Sequence, residues 1–251
     1  MNFTVRGKLD RARVPLHGII LLIGPPGTGK TSLAKGLADR IAQAFAPAKM
    51  TYLEVEPHSL QSSMLGKSQK AVTELFATTI SEQADQGPTI VLLDEVETLI
   101  VDRSKLSMEA NPIDVHRATD AALVQLDHLA DQHPNLLFIA TSNFPQAIDG
   151  AFRSRCDLVM DIPLPSAQAV HEIIKDTLNA FAESFPRVGQ LTNAAGFSQI
   201  VHAGQGLDGR QLRKSVASAF AANRAVALDP NKLTHAQLLA AVKAAKKVSS
   251  L

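Results

Sequence analysis

The chain of 251 residues has no tryptophan, one tyrosine and one cysteine. A lone Cys156 can form no internal disulfide, which points to a reducing, intracellular setting. Aromatic residues make up 4%, so stacking platforms for single-stranded nucleic acid are poorly supplied. The formal net charge of +1 offers no strongly basic surface for a phosphate backbone. No apolar run approaches the roughly 20 residues of a membrane span. The opening, Met1-Asn-Phe-Thr-Val-Arg-Gly-Lys, lacks an apolar core followed by a small-residue cleavage site and does not read as a signal peptide. The expectation is a cytoplasmic protein with no membrane contact and no direct nucleic-acid binding. Hydrophobic residues make up 45%, enough for a packed core in one large domain or two modest ones.

The most informative stretch is Gly24-Pro-Pro-Gly-Thr-Gly-Lys30-Thr31. An apolar run, Ile19–Ile23, precedes it, and a helix-forming run over 32–41 follows. Strand, glycine-rich loop and helix are the setting in which G-x-x-x-x-G-K-[ST] becomes a P-loop. Glycines let the backbone curl around a phosphate and present its N–H groups. The following helix aims its N-terminal dipole at the same anion. Gly24, Pro25, Pro26, Gly27, Thr28, Gly29, Lys30, Thr31 and Ser32 are therefore the candidate nucleotide contacts. Lys30 would reach the β- and γ-phosphates, and the Thr31 hydroxyl would bind Mg²⁺.

Downstream, the apolar run Thr89–Leu93 reads as a central parallel strand covered on both faces. It delivers Asp94 and Glu95, the order of a Walker B element. Asp94 is the second candidate Mg²⁺ ligand, usually through water. Glu95 would polarise the attacking water as general base. An acidic helix N-terminus is the plainer reading of the same pair. A further apolar strand over 135–142 ends at Asn143. An amide there lies where open α/β sheets bind ligands and could orient the water; it could equally start the turn before Phe144-Pro145. Arg153 and Arg155 follow in a loop, either solvated or set to act on a neighbouring copy.

The chain divides by composition into a linker over 1–18, a large α/β nucleotide-binding domain over 19–163 and a small helical lid over 164–251. The short segment before the P-loop strand gives the expectation that no separate N-terminal domain precedes it. Val14-Pro-Leu-His-Gly18 is either a base-wrapping segment or an entry turn made by Pro and Gly. Thr51–Val55 reads as a strand, 68–86 as a helix broken by Gly87-Pro88, 113–131 as a helix, and 158–162 as a short strand. In the lid, Ser166 caps a helix to about Phe185, and 186–207 is looser. A helix opens near Leu207 and runs to about Val226, and a capping box at Thr234 and Gln237 starts the last one. The lysines over 243–247 read as a solvated face.

The order of P-loop, Asp-Glu strand end, strand-end Asn143, loop arginines and Gly-Arg-opened helix resembles an AAA+ ATPase. That resemblance implies a three-layer α/β domain with a parallel sheet, followed by a small α-helical lid. His58-Ser-Leu60, Leu93-Asp-Glu-Val-Glu97, Thr141-Ser-Asn143 and Gly206-Leu-Asp-Gly-Arg210-Gln-Leu-Arg-Lys214 resemble the clade of HORMA-domain remodellers. The short form resembles its bacterial members in CBASS anti-phage operons. The resemblance implies that Asn143 is sensor 1 and that Arg210 is sensor 2, contacting the γ-phosphate from the lid. It implies that Arg155 is an arginine finger entering a neighbour's site in a homohexamer, with Arg153 of open role. Ser63, Met64, Leu65 and Gly66 match the first pore loop, where relatives carry an aromatic and this chain offers Met64 and Leu65. ATP and Mg²⁺ are the implied cofactors. A HORMA-domain protein is the implied client, and a CD-NTase the indirect one. Two other readings stay open at this level: a DNA-associated motor or clamp loader, and a nucleotide-gated scaffold without turnover.

Overall fold

The computed structural model describes residues 3–55, 68–102, 112–193 and 195–249. They form two compact units, Met1–Gly24 with Lys30–Ile162, and Pro25–Gly29 with Pro163–Leu251. No helix among the described residues is long and apolar enough to cross a membrane.

In the first unit β1 (Ile19–Ile23), α1 (Lys30–Ala44), β2 (Thr51–Val55), α2 (Ser68–Glu74), a π-turn (Leu75–Ile80), α3 (Ser81–Gln86), β3 (Thr89–Leu93), α4 (Pro112–Gln132), β4 (Leu136–Ser142), α5 (Gly150–Arg155) and β5 (Leu158–Asp161) follow in order. The sheet runs β2-β3-β4-β1-β5, with every pairing parallel. Side chains alternate across a strand, and both sets here are apolar. Ile90 and Leu92 of β3 and Leu137 and Ile139 of β4 pack with Ala34 and Ala38 of α1. Val91, Leu93, Phe138 and Ala140 point the other way, onto α4 and the helical stretch that contains the π-turn. Helices thus cover both faces of one parallel sheet, and the fold is α/β.

The π-turn has a reason in the apolar spacing. Val72, Phe76, Ile80 and Ala84 are all buried and recur every four residues. An α-helix of 3.6 residues per turn rotates such a row by about 40° at each step. The wider i→i+5 turn takes up that drift and keeps the row on the sheet, where Phe76 stacks on Phe138 at 6.1 Å.

Residues 3–18, expected as a linker, pack against the first unit. The buried Arg6 guanidinium donates to the carbonyls of Ala130, His133 and Leu136, tying the C-terminal end of α4 to the start of β4. Gly18 makes room for it: φ is +76°, and a Cβ there would fall 1.7 Å from Arg6 Nη1. The N–H groups of His17 and Gly18 donate to the Asp157 carboxylate, so the Pro-Gly stretch is an entry turn into β1. Burial pushes the Arg6 guanidinium down to about 10 against the opposing charge of Asp157. Arg6→Ala is expected to cost about 2–3 kcal/mol, the order of a buried charged hydrogen-bond set. Urea denaturation would read it, and an unchanged midpoint would show that the segment is not pinned.

The second unit is helical: α6 (Ala167–Ala182), α7 (Pro186–Gly189), α8 (Phe197–Gly204), α9 (Gly209–Ala219), α10 (Arg224–Leu228) and α11 (His235–Ser249). Val170, Ile174, Leu178, Ile200, Leu212, Val216, Leu238 and Val242 form its core. The Ser166 side chain caps α6 by accepting from Ala169 N–H. Two expectations are corrected. The stretch read as loose contains α8. The helix read through Val226 stops at Ala219, because the Asn223 side chain accepts from Val226 N–H and caps a new helix, α10.

Candidate functional site

Three strand ends converge on one edge of the sheet, the carboxyl edge at which open α/β sheets bind ligands. Register places them. Ile23 pairs with Ser142 and Leu93 with Ala140, so Gly24 and Asn143 leave their strands together, and Asp94 lies level with Thr141. Gly24 has φ +150°, and a Cβ would approach Ile162 O at 2.2 Å, so only glycine lets the chain leave β1 there.

The Thr31 hydroxyl, in the first turn of α1, donates to Asp94 Oδ1 at 2.9 Å. Thr141 donates to the same oxygen at 2.5 Å and accepts from the Glu95 N–H at 3.1 Å. Thr141 of β4 therefore anchors both the Asp94 carboxylate and the Glu95 backbone. Glu95 has φ 53° and ψ 53° and is the only non-glycine residue at positive φ among the described residues. Such strain costs on the order of 1–3 kcal/mol and gathers at functional sites. Glu95 Oε1 accepts from Asn143 Nδ2 at 3.1 Å, and the Asn143 N–H donates to Glu97 Oε1 at 2.9 Å. The buried Lys30 ammonium donates to Gly24 O at 2.8 Å. Burial holds its pKa below the ordinary lysine value, opposed by the charges of Glu97, Asp94 and Glu95.

Thr31, Asp94, Glu95 and Asn143, all expected from the sequence, thus stand in one hydrogen-bonded group, whose carboxylates act on the charge of Lys30. Thr141 and Glu97 belong to it and were not singled out by sequence reasoning. Both lie inside motifs that were noticed, and hydrogen-bonding side chains at the strand ends were the available signal. A hydroxyl and a carboxylate 2.9 Å apart are hard oxygen donors suited to Mg²⁺. Among the described residues no three His, Cys, Asp or Glu side chains could hold a metal by themselves, and Mg²⁺ does not need them when phosphates and waters complete its octahedron.

Arg155 ends α5, whose N-cap Asp149 accepts from Ala151 N–H. Its guanidinium forms a two-pronged pair with Asp127 of α4, Nε to Oδ1 at 2.8 Å and Nη2 to Oδ2 at 2.7 Å, and Nη1 donates to Ala151 O. The shared bond raises the Arg155 pKa and lowers that of Asp127. His17 Nε2 lies 3.4 Å from Asp127, and Arg11 pairs with Asp131 one turn on. Within one chain, then, Arg155 is held by α4, and Asp127 is a partner that no local motif announced. Arg153 is exposed and donates to Pro145 O. Arg210 belongs to the second unit, exposed in the first turn of α9 within the Asp208–Gln211 capping box. Cys156 has its thiol pushed up to about 12, by burial first and then by Asp157, which suits a packing residue rather than a nucleophile. Ser63, Met64, Leu65 and Gly66 lie outside the described residues.

A P-loop joined to an Asp-Glu strand end and a strand-end amide, on a 5-1-4-3-2 parallel sheet, defines a nucleotide-hydrolysing P-loop domain. The chain matches the AAA family, ATPases associated with various cellular activities, over residues 20–164, and it belongs to that family. It is 60% identical over 248 residues to CD-NTase-associated protein 6 of Pseudomonas aeruginosa, covering 99% of this chain and 82% of that protein. Among solved structures it is similar to PCH-2 of C. elegans, with a TM-score of 0.74 at 27% identity over 97% of this chain and 65% of that one. It also shares its fold with a chain in the E. coli MS115-1 HORMA:CdnC:Trip13 complex, with a TM-score of 0.65 at 20% identity over 93% of this chain and 77% of that one.

Proposed function

We propose that this ATPase uses hydrolysis to remodel a HORMA-domain protein, and thereby switches off a CD-NTase in a CBASS-type system. The observation that carries the reading is the 60% identity to CD-NTase-associated protein 6, spread over 99% of the chain. The complete hydrolytic group supports turnover over a passive scaffold, and a net charge of +1 does not favour a DNA motor.

In this reading the loop from Gly24 to Gly29 and the first turn of α1 bind the phosphates of ATP. Lys30 exchanges its bond to Gly24 O for phosphate oxygens. Thr31 and Asp94 would hold Mg²⁺, which would supply neutralisation of phosphate charge. Glu95 takes the proton of the attacking water, and Asn143 orients that water and Glu95 together. Arg155 acts on a neighbouring copy within a homohexamer, and Arg210 links the lid to the nucleotide. Ser63, Met64, Leu65 and Gly66 grip the client.

The test is direct. Purified protein is mixed with a closed HORMA-domain protein that holds a labelled peptide. With ATP and Mg²⁺ the peptide is expected to be released, and with a non-hydrolysable analogue it is expected to stay bound. ATP turnover without any ATP-dependent release would reject the remodelling reading while leaving the ATPase intact.

A further inference from the structure

Glu97 has no assigned part in this site. It is 9% exposed and lies between Val96 and the Leu99–Ile100 pair, all buried in the main core. Its Oε1 accepts the Asn143 N–H at 2.9 Å, while its Oε2 is buried with no hydrogen-bond partner. Leaving a buried acceptor unmade costs about 1–3 kcal/mol, and more when it is charged. An apolar side chain of the same size would avoid that cost, so the carboxylate is explained by what it holds.

What it holds is the backbone of the residue that touches Glu95. The β1–β4 ladder ends with Ile23 opposite Ser142, and the chain then turns at Phe144-Pro145, so the ladder does not take up the Asn143 N–H. Glu97 supplies the acceptor. One residue on, Ser142 Oγ accepts the Phe144 N–H at 3.1 Å. Two side chains therefore pin the turn, and the Asn143 carboxamide is left to donate to Glu95 Oε1. We propose that Glu97 is a positioning residue for ATP hydrolysis: its Oε1 fixes the end of β4 so that Asn143 stands against Glu95. The position also faces Lys30, whose ammonium Glu97 supports more strongly than Asp94 or Glu95 does. Action through that charge alone is the competing outcome.

The inference rests on Glu95 and Asn143 acting in hydrolysis as proposed above. The test uses the full chain with Glu97→Met, Glu97→Gln, Asn143→Ala and the double variant Glu97→Met/Asn143→Ala. Thermal midpoint, affinity for a fluorescent ATP analogue, kcat and KM are read for each. Methionine keeps the length and removes the acceptor, and kcat is expected to fall about 10–100-fold, the scale of a misplaced reacting group. Nucleotide affinity and KM are expected to stay within about threefold, as for a loss felt only in the transition state. Glutamine keeps a carbonyl oxygen for Asn143, so kcat is expected within about threefold of native. In the Asn143→Ala background Glu97→Met is expected to cost less than about twofold more, because the two act as one unit.

An equal penalty in both backgrounds would overturn the proposal, as would native kcat in Glu97→Met. A Glu97→Gln defect as deep as that of Glu97→Met would assign the role to charge on Lys30 and overturn it too. Should Glu97→Met fail to fold, Glu97→Ala replaces it in the same cycle. Native kcat in Asn143→Ala would instead sink the underlying reading of Asn143, a result distinct from additivity.

Discussion

Glu95→Gln is expected to bind ATP as the native chain does and to hydrolyse it about 10²–10⁴-fold more slowly, the contribution of a positioned general base. The change is nearly isosteric, and the geometry says it is clean. A glutamine Oε1 can still accept from Asn143 Nδ2, as Glu95 Oε1 does at 3.1 Å. The Glu95 N–H still donates to Thr141, and the Thr31–Asp94 bond is untouched. What disappears is the capacity to take a proton. Steady-state phosphate release and equilibrium nucleotide binding, measured side by side, check both halves. Equal background rates in the native and variant chains would mean that the nucleotide is held without productive turnover, and the scaffold reading would return.

Arg155→Ala is expected to cost about 10³–10⁵ in turnover, the range of arginine fingers in other phosphoryl transfers. Lost stability does not account for a fall of that size. The Arg155 and Asp127 side chains are 24% and 38% exposed, and a partly solvated pair contributes at most about 1 kcal/mol. A thousandfold loss of rate is about 4 kcal/mol of barrier. Mixing separates the two places in which the arginine could act. An Arg155→Ala subunit carries an intact Glu95, and a Glu95→Gln subunit carries an intact Arg155. Where they meet, one complete site forms, so the mixture is expected to regain hydrolysis that neither variant has alone. No recovery at any ratio would place the arginine's action within its own subunit, where Asp127 already holds it.

Much of the fold was legible because its signals are local. Ile19–Ile23, Thr51–Val55 and Thr89–Leu93 appear as strands at the same bounds read from their apolar runs. Capping side chains at Ser166 and Thr234 mark helix starts in sequence and in space. Where alanines dominate, the signal fails. Ala221 and Ala222 favour helix, yet the chain breaks there because Asn223 accepts from Val226 N–H. The π-turn was hidden for a related reason: an i+4 apolar row reads as ordinary helix until a flat sheet has to be covered.

The site divides along the same line. The P-loop, the Asp94–Glu95 pair and the strand-end Asn143 were readable from sequence alone, because phosphate binding demands particular residue types at fixed short spacings. That Thr141 joins the Asp94 carboxylate to the Glu95 backbone, that Glu97 holds Asn143, and that Asp127 grips Arg155 were settled only by the folded chain. Those contacts span 46, 46 and 28 residues, and they depend on strand register and on how α4 lies beside α5. Short-range chemistry is written in the order of residues. Long-range pairing is decided by which strand ends the sheet brings level.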